Sequence, residues 1–167
     1  MEEEARTQGR IAVAAMRVGA IVYHRLVRRL VRVWQPDLNG VRGIPITADG
    51  RLVLVRHTYL PGWHFPGGGY KSGEDAETAM LRELREEIGM TRHGAVEHFG
   101  DYLHRPDLWR DSVAFFVIRD VEFVPRRSLE IAAIGAFAPD ALPEGLSSAT
   151  RRRLDEWRGD APVAPEW

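Results

Sequence analysis

The segment from Gly67 to Met90, GGGYKSGEDAETAMLRELREEIGM, constrains this chain more than any other stretch. Three successive glycines allow close backbone approach and unusual dihedrals. The helix that follows is expected to start near Glu74 and Asp75, where acidic side chains favour the positive end of the dipole, and to stop at Gly89. At about 100° per residue, with Glu83 as origin, Glu86 lies at about −60° and Glu87 at about +40°. Leu84, Ile88 and Leu81 fall on a separate apolar stripe, at about 100°, 140° and 160°. One side should therefore pack on a core while the other presents clustered negative charge. Like charges at this spacing destabilise an isolated helix, so a neutralising partner is expected. Hard cations with oxygen ligands are the natural candidates, because magnesium bridges carboxylates and substrate phosphates. A solvated acidic face is the competing reading of the glutamates alone. The glycine run and the Arg82-Glu83 and Glu86-Glu87 pairs weigh against it.

From Gly68 the order is glycine, five residues, Glu74, seven residues, Arg82-Glu83-Leu84, then Glu86-Glu87 and Gly89-Met90. This resembles the box of the Nudix hydrolase family, G-x5-E-x7-R-E-U-x-E-E-x-G-U, where U is a bulky aliphatic residue. Met90 stands where Ile, Leu or Val is usual, a small departure for an apolar, flexible side chain. Strand-like residues 41–47 and 51–56 about the Asp49-Gly50 turn, the Trp63-His64-Phe65-Pro66 lead-in and residues 137–143 extend the resemblance over residues 40–158. It implies an α/β Nudix fold, a mixed β-sheet sandwiched between helices (α/β/α). It also implies Mg2+-dependent attack of water on a phosphorus of a nucleoside diphosphate linked to another moiety, with Mn2+ as a substitute ion.

The resemblance assigns roles residue by residue. Glu86 and Glu87 match the metal-binding pair. Glu83 matches a position that ligates metal or acts as general base in different members, so Glu83 and Glu86 are the expected catalytic residues. The carbonyl of Gly67 or Gly68 is an expected further ligand. Arg82 and Glu74 match an ion pair that fixes the glycine loop on the helix. Members often supply one more acid from outside the box. Glu130 is the first candidate for that metal ligand, with Glu97 and Asp101 as alternatives; an exposed strand glutamate is its plain reading.

Substrate recognition is less specified. Arg56 and His64 are candidates to meet phosphates, beside the backbone of Gly67, Gly68 and Gly69. Tyr59, Trp63 and Trp109 are candidates to stack on a ring. Packing or surface exposure is an equal reading for each. Pro106 lies 16 residues beyond the box, near where a proline accompanies ADP-ribose preference in parts of the family. The SQPWPFPxS motif of NADH diphosphatases and the added motif of coenzyme A diphosphatases are both missing from the sequence. The histidines have no HExxH-type spacing.

At 167 residues, with no cysteine and a net charge of −1, the chain suits a single globular domain without disulfides. All but one of the 23 basic residues are arginine, which reads as compositional bias and not as nucleic-acid binding. The charge is uneven: residues 5–35 hold seven arginines and no acid, while residues 36–167 hold 16 basic and 21 acidic residues. A phosphorylated substrate needs metal to approach the acidic part.

Residues 1–36 read as a basic amphipathic helical arm, 37–160 as the catalytic domain and 161–167 as a tail. Arginines interrupt every apolar run of the arm, so it does not span a membrane. It is expected to pack on the domain or a second subunit, as in a homodimer, to lie on an anionic membrane surface, or else to be loosely ordered. The expected location is cytoplasmic, with peripheral contact at the inner membrane. Beyond the box, residues 96–104 and 112–121 read as strands, 128–137 as one strand or two, and Ser147 or Ser148 as the cap of a last helix ending near Trp157. A silent nucleotide-binding module on the same fold, or an isomerase of prenyl diphosphates, is the alternative to a small-molecule hydrolase.

Overall fold

The computed structural model describes residues 40–104, 111–125 and 128–167. The arginine-rich arm, Pro106 and Trp109 lie outside them. The elements run β1 (Gly40–Pro45), β2 (Leu52–His57), α1 (Ala76–Glu87), β3 (Met90–Arg92), β4 (Val96–His104), β5 (Asp111–Ile118), β6 (Glu122–Phe123), β7 (Ile131–Phe137) and α2 (Ser148–Arg158).

β1 and β2 form the hairpin that Asp49-Gly50 signals: Ile46 bridges Leu52, Thr47 N–H donates to the Arg51 carbonyl, and Gly50 takes φ 80°. Beyond that corner the strands part. β1 joins β5 in parallel and β5 joins β4 antiparallel, giving a mixed three-stranded sheet. β2 joins β7 antiparallel instead. The single sheet expected from the sequence is therefore two main ladders, with β3 and β6 as a third small ribbon. The physical reason lies in the Trp63-His64-Phe65-Pro66 lead-in before the glycines. Val55 and His64 exchange backbone hydrogen bonds at 2.9 and 2.8 Å, and then Gly43 N–H reaches Pro66 O at 3.2 Å and Val41 N–H reaches Gly68 O at 2.8 Å. One stretch of chain thus satisfies β2 at one end and β1 at the other, wedging them apart.

Side-chain alternation sends Val41, Val53 and Val55 to one face, where Ala79, Met80 and Leu84 of α1 and the following Ile88 cover them. Ile44, Leu52, Leu54, Phe115 and Val117 go to the other face with Leu154 of α2. Helices on both sides of the strands give the layered α/β arrangement. Each fully buried Leu, Ile or Met contributes about 1.5–3 kcal/mol, which offsets the acidic repulsion on the opposite side of α1.

Asp75 caps α1, accepting the Thr78 N–H at 2.8 Å, and Gly89 ends it at φ 72°. Ser147 caps α2. Residues 161–167 run back along the domain. Leu103 N–H donates to Pro165 O at 2.8 Å and Trp167 N–H to Leu103 O at 2.9 Å, so the segment covers the edge of β4. Under it, Arg153 is fully buried, with its guanidinium 4.0 Å over the Tyr102 ring and 2.6 Å from Glu156.

Candidate active site

α1 is held against the glycine turn by one arginine. Arg82 pairs with Glu74 through two contacts at 2.8 and 2.9 Å and donates to the Gly69 carbonyl at 2.8 Å. It also meets Glu83 at 2.6 Å and Glu86 at 3.2 Å. These hydrogen bonds hold the Glu74 carboxyl below its ordinary range and raise Arg82 above its own. Lys71, at the turn, reaches Glu86 at 3.0 Å.

The three box glutamates occupy different settings. Glu83 and Glu87 are turned inward, with side chains 13% and 10% exposed, while Glu86 is 52% exposed. Glu83 lies so close to Gly68 that a Cβ there would stand 2.4 Å from the carboxylate oxygen. Gly67, buried at φ 144°, donates its N–H to Glu87 at 2.8 Å. Burial pushes Glu87 up to about 7; the Gly67 N–H and Arg42 oppose this, and the charges of Glu83 and Glu130 add to it. Glu130, placed outside the box by the sequence reading, is thus within electrostatic reach of Glu87. Its carbonyl accepts the Thr58 N–H at 2.8 Å, where a bulge in the β2–β7 ladder pairs His57 with Ile131.

The donors fit a hard divalent cation. They are carboxylate oxygens beside a glycine turn, and Glu87 carries a buried charge that burial alone penalises. Among the described residues no three such groups already converge on one point. Arg82 and Lys71 balance Glu83 and Glu86 instead. The arc expected from helical periodicity is present in α1, but its members differ in exposure and partner.

Of the expected substrate residues, Arg56 is exposed with its guanidinium 5.7 Å from the Trp63 ring. His64 is half-buried and bonded to the Pro61 carbonyl at 2.9 Å, and burial lowers its pKa. Tyr59 stacks at 5.1 Å on His57, while Trp63 sits edge-on to Phe137 at 4.9 Å. The Gly68 carbonyl accepts Val41 N–H, and that of Gly69 accepts Arg82. Glu97 and Asp101 instead face Arg119 at 3.9 Å and His98 at 3.0 Å.

Two residues by Glu87 escaped the sequence reading. His57 is buried with its Nε2 4.0 Å from the carboxylate, and Arg42 of β1 acts on it electrostatically. A charged residue among the apolar positions of β1 was the available signal for Arg42. His57 gave none, because the bulge that orients it is a pairing irregularity.

The fold and the acidic helix define a class, and the comparisons agree. The model of the NUDIX domain matches residues 37–157. A MutT-like protein of Streptomyces ambofaciens is 32% identical over 131 residues, covering 76% of this chain and 82% of that protein. An RNA pyrophosphohydrolase of Methylococcus capsulatus is 43% identical over 60 residues, only 34% of this chain and 31% of that protein. A MutT NUDIX hydrolase from Burkholderia pseudomallei is similar in structure, with a TM-score of 0.61 and 27% identity, covering 71% of this chain and 96% of that one. The chain belongs to the NUDIX family.

Proposed function

We propose that the chain is a divalent-metal-dependent hydrolase that cleaves the diphosphate linkage of a nucleoside diphosphate joined to another moiety. The observation that carries this reading is the docking of α1 on the glycine turn, which brings Glu83 and Glu87 inward beside the backbone of Gly67 and Gly68. In this reading Glu83, Glu86 and Glu87, with Glu130 and the Gly67 carbonyl, hold the ion. Mg2+, or Mn2+ in its place, would supply charge neutralisation on the diphosphate and lower the pKa of a water when bound. Besides holding the ion, Glu83 and Glu86 would be the residues placed to orient the attacking water and take its proton. Arg82 positions them by clamping Glu74 and the Gly69 carbonyl to α1. Gly69 leaves room for phosphate oxygens against the backbone, whereas Gly67 and Gly68 are closely packed on Val41 and Glu83, and Arg56 and His64 line the approach.

The name pyrophosphohydrolase among relatives supports the bond type, but that similarity spans about a third of either chain. A small nucleotide therefore remains the preferred substrate class. The test is turnover with Mg2+ on ADP-ribose, dinucleoside polyphosphates, nucleotide sugars, nucleoside triphosphates and a 5′-triphosphorylated RNA. Metal-dependent release of two phosphorylated products from a small nucleotide supports the reading. Release from the RNA alone overturns the substrate class, and binding without turnover of any of them overturns the hydrolase assignment in favour of a silent nucleotide-binding module.

A further inference from the structure

Both carboxylate oxygens of Glu86 are already engaged by cations. Lys71 Nζ donates to Oε1 at 3.0 Å and Arg82 Nη1 to Oε2 at 3.2 Å. A divalent ion on either oxygen meets a positive charge already there, and like charges this close repel. One of the two side chains has to give way, and they are not equally held. Arg82 also donates to both oxygens of Glu74, to Glu83 and to the Gly69 carbonyl, and its side chain is only 16% exposed. Among the described residues the Lys71 ammonium has only its contact to Glu86, and its side chain is 63% exposed. An exposed pair of this kind is weak. Lys71 is therefore the cation that leaves.

Its main chain does not leave with it. Lys71 N–H donates to Glu74 Oε2 at 2.9 Å, and the Lys71 carbonyl accepts the Glu74 N–H at 3.0 Å. Arg82 clamps Glu74 in turn, so the root of the Lys71 side chain is fixed and only the ammonium swings. Two residues earlier on the same turn lies open space: a Cβ built on Gly69 would meet nothing within 4 Å. The residue type agrees. Lys71 is the chain's only lysine. A guanidinium fork in its place would grip both Glu86 oxygens, whereas an ammonium on a flexible four-carbon stem is a point charge that exchanges one anion for another.

We propose that Lys71 is a substrate-binding residue that doubles as a movable countercharge: it neutralises Glu86 in the metal-free chain and, once Glu86 is given up to a divalent ion, binds a phosphate oxygen of the substrate on the Gly69 side of the turn. This rests on the hydrolase reading for its biological meaning, but its test does not require turnover. Two affinities are measured on the full chain: Mg2+ alone by calorimetry, and methylenediphosphonate, a non-hydrolysable diphosphate, by 31P NMR at saturating Mg2+. Lys71→Met is expected to tighten Mg2+ binding about twofold to fivefold, the span of an exposed ion pair, because Glu86 has lost a competing cation. The same variant should bind methylenediphosphonate at least about threefold more weakly, because a charged donor to the phosphonate is gone. Lys71→Arg should weaken Mg2+ binding, since the fork holds Glu86 more firmly. A 13C-dimethyl label placed on the lysine by reductive methylation reports the release directly. Its resonance should move on adding Mg2+ and again on adding methylenediphosphonate, and should not respond to Mg2+ in Glu86→Gln, where the pair is already broken.

The opposed signs separate this role from a structural one, which would move both affinities the same way. Mg2+ affinity that is unchanged or weaker in Lys71→Met, unchanged methylenediphosphonate affinity in that variant, or a lysine resonance that Mg2+ leaves unmoved would each overturn the proposal. So would a parent chain that binds no methylenediphosphonate with Mg2+ present. Opposed shifts in a chain that turns over no nucleotide would leave the proposal standing while the hydrolase reading fails. Turnover with affinities that ignore Lys71 is the reverse outcome.

Discussion

Replacing Glu87 by glutamine is expected to stabilise the metal-free protein while removing its response to Mg2+. Burial raises the Glu87 carboxyl from 4.5 to about 7. At about 1.4 kcal/mol per pKa unit, holding this group ionised in the folded state costs about 3 kcal/mol. The sign follows from linkage. A pKa raised by folding favours the protonated acid, so its contribution is fully present below pH 4.5 and is lost as pH rises through about 7. Glutamine keeps an oxygen to accept the Gly67 N–H but loses the charge assistance that this N–H and Arg42 gave. The net gain at pH 8 should be about 1–3 kcal/mol, or roughly 3–10 °C in Tm for a domain of this size. At pH 5 the gain should shrink by more than half, since the wild-type group is then protonated in the fold. Thermal unfolding of both proteins in EDTA at pH 8 and pH 5 measures this. Millimolar Mg2+ should raise the Tm of the wild type and leave the variant unmoved. A variant less stable than wild type at pH 8, or equally stabilised at both pH values, would refute the reasoning.

Glu86→Gln should nearly abolish Mg2+-dependent turnover and shift stability by less than about 0.5 kcal/mol, because its side chain is half exposed; undiminished kcat would sink the metal assignment. Gly67→Ala forces a side chain into φ 144° and onto the Val41 carbonyl, and denaturant titration should record a loss of about 3 kcal/mol or more. Glu156→Gln leaves the fully buried Arg153 without its carboxylate and should cost about 3–5 kcal/mol, whereas an apolar Arg153→Met, Glu156→Leu pair should recover much of that in the same titration. Deleting residues 1–35 should leave kcat within about threefold if the arm only docks the enzyme on a membrane or a partner; loss of soluble protein would favour its packing on the domain.

The layered α/β fold and its acidic helix were legible because both rest on short-range rules. Asp49-Gly50 dictates a hairpin, Asp75 and Gly89 bound α1, and the spacing of Glu83, Glu86 and Glu87 follows from helical geometry. The division of the strands into separate ladders was not legible. It arises because residues 63–69 must satisfy the backbones of β1 and β2 at once, a long-range demand that no local pattern records. The docking of residues 161–167 on β4 has the same origin.

The sequence by itself determined the family, the helix that carries the acids and the side of it that faces the core, since periodicity and spacing are properties of a single segment. Only the tertiary structure decided how the acids differ. Glu87 is buried against Gly67, Glu83 is pressed on Gly68, and Glu86 stands outward with Lys71. It also decided that Arg42 and His57 stand beside them. Burial and charge act through space, so their effect on a carboxylate depends on residues up to 45 positions away in the chain.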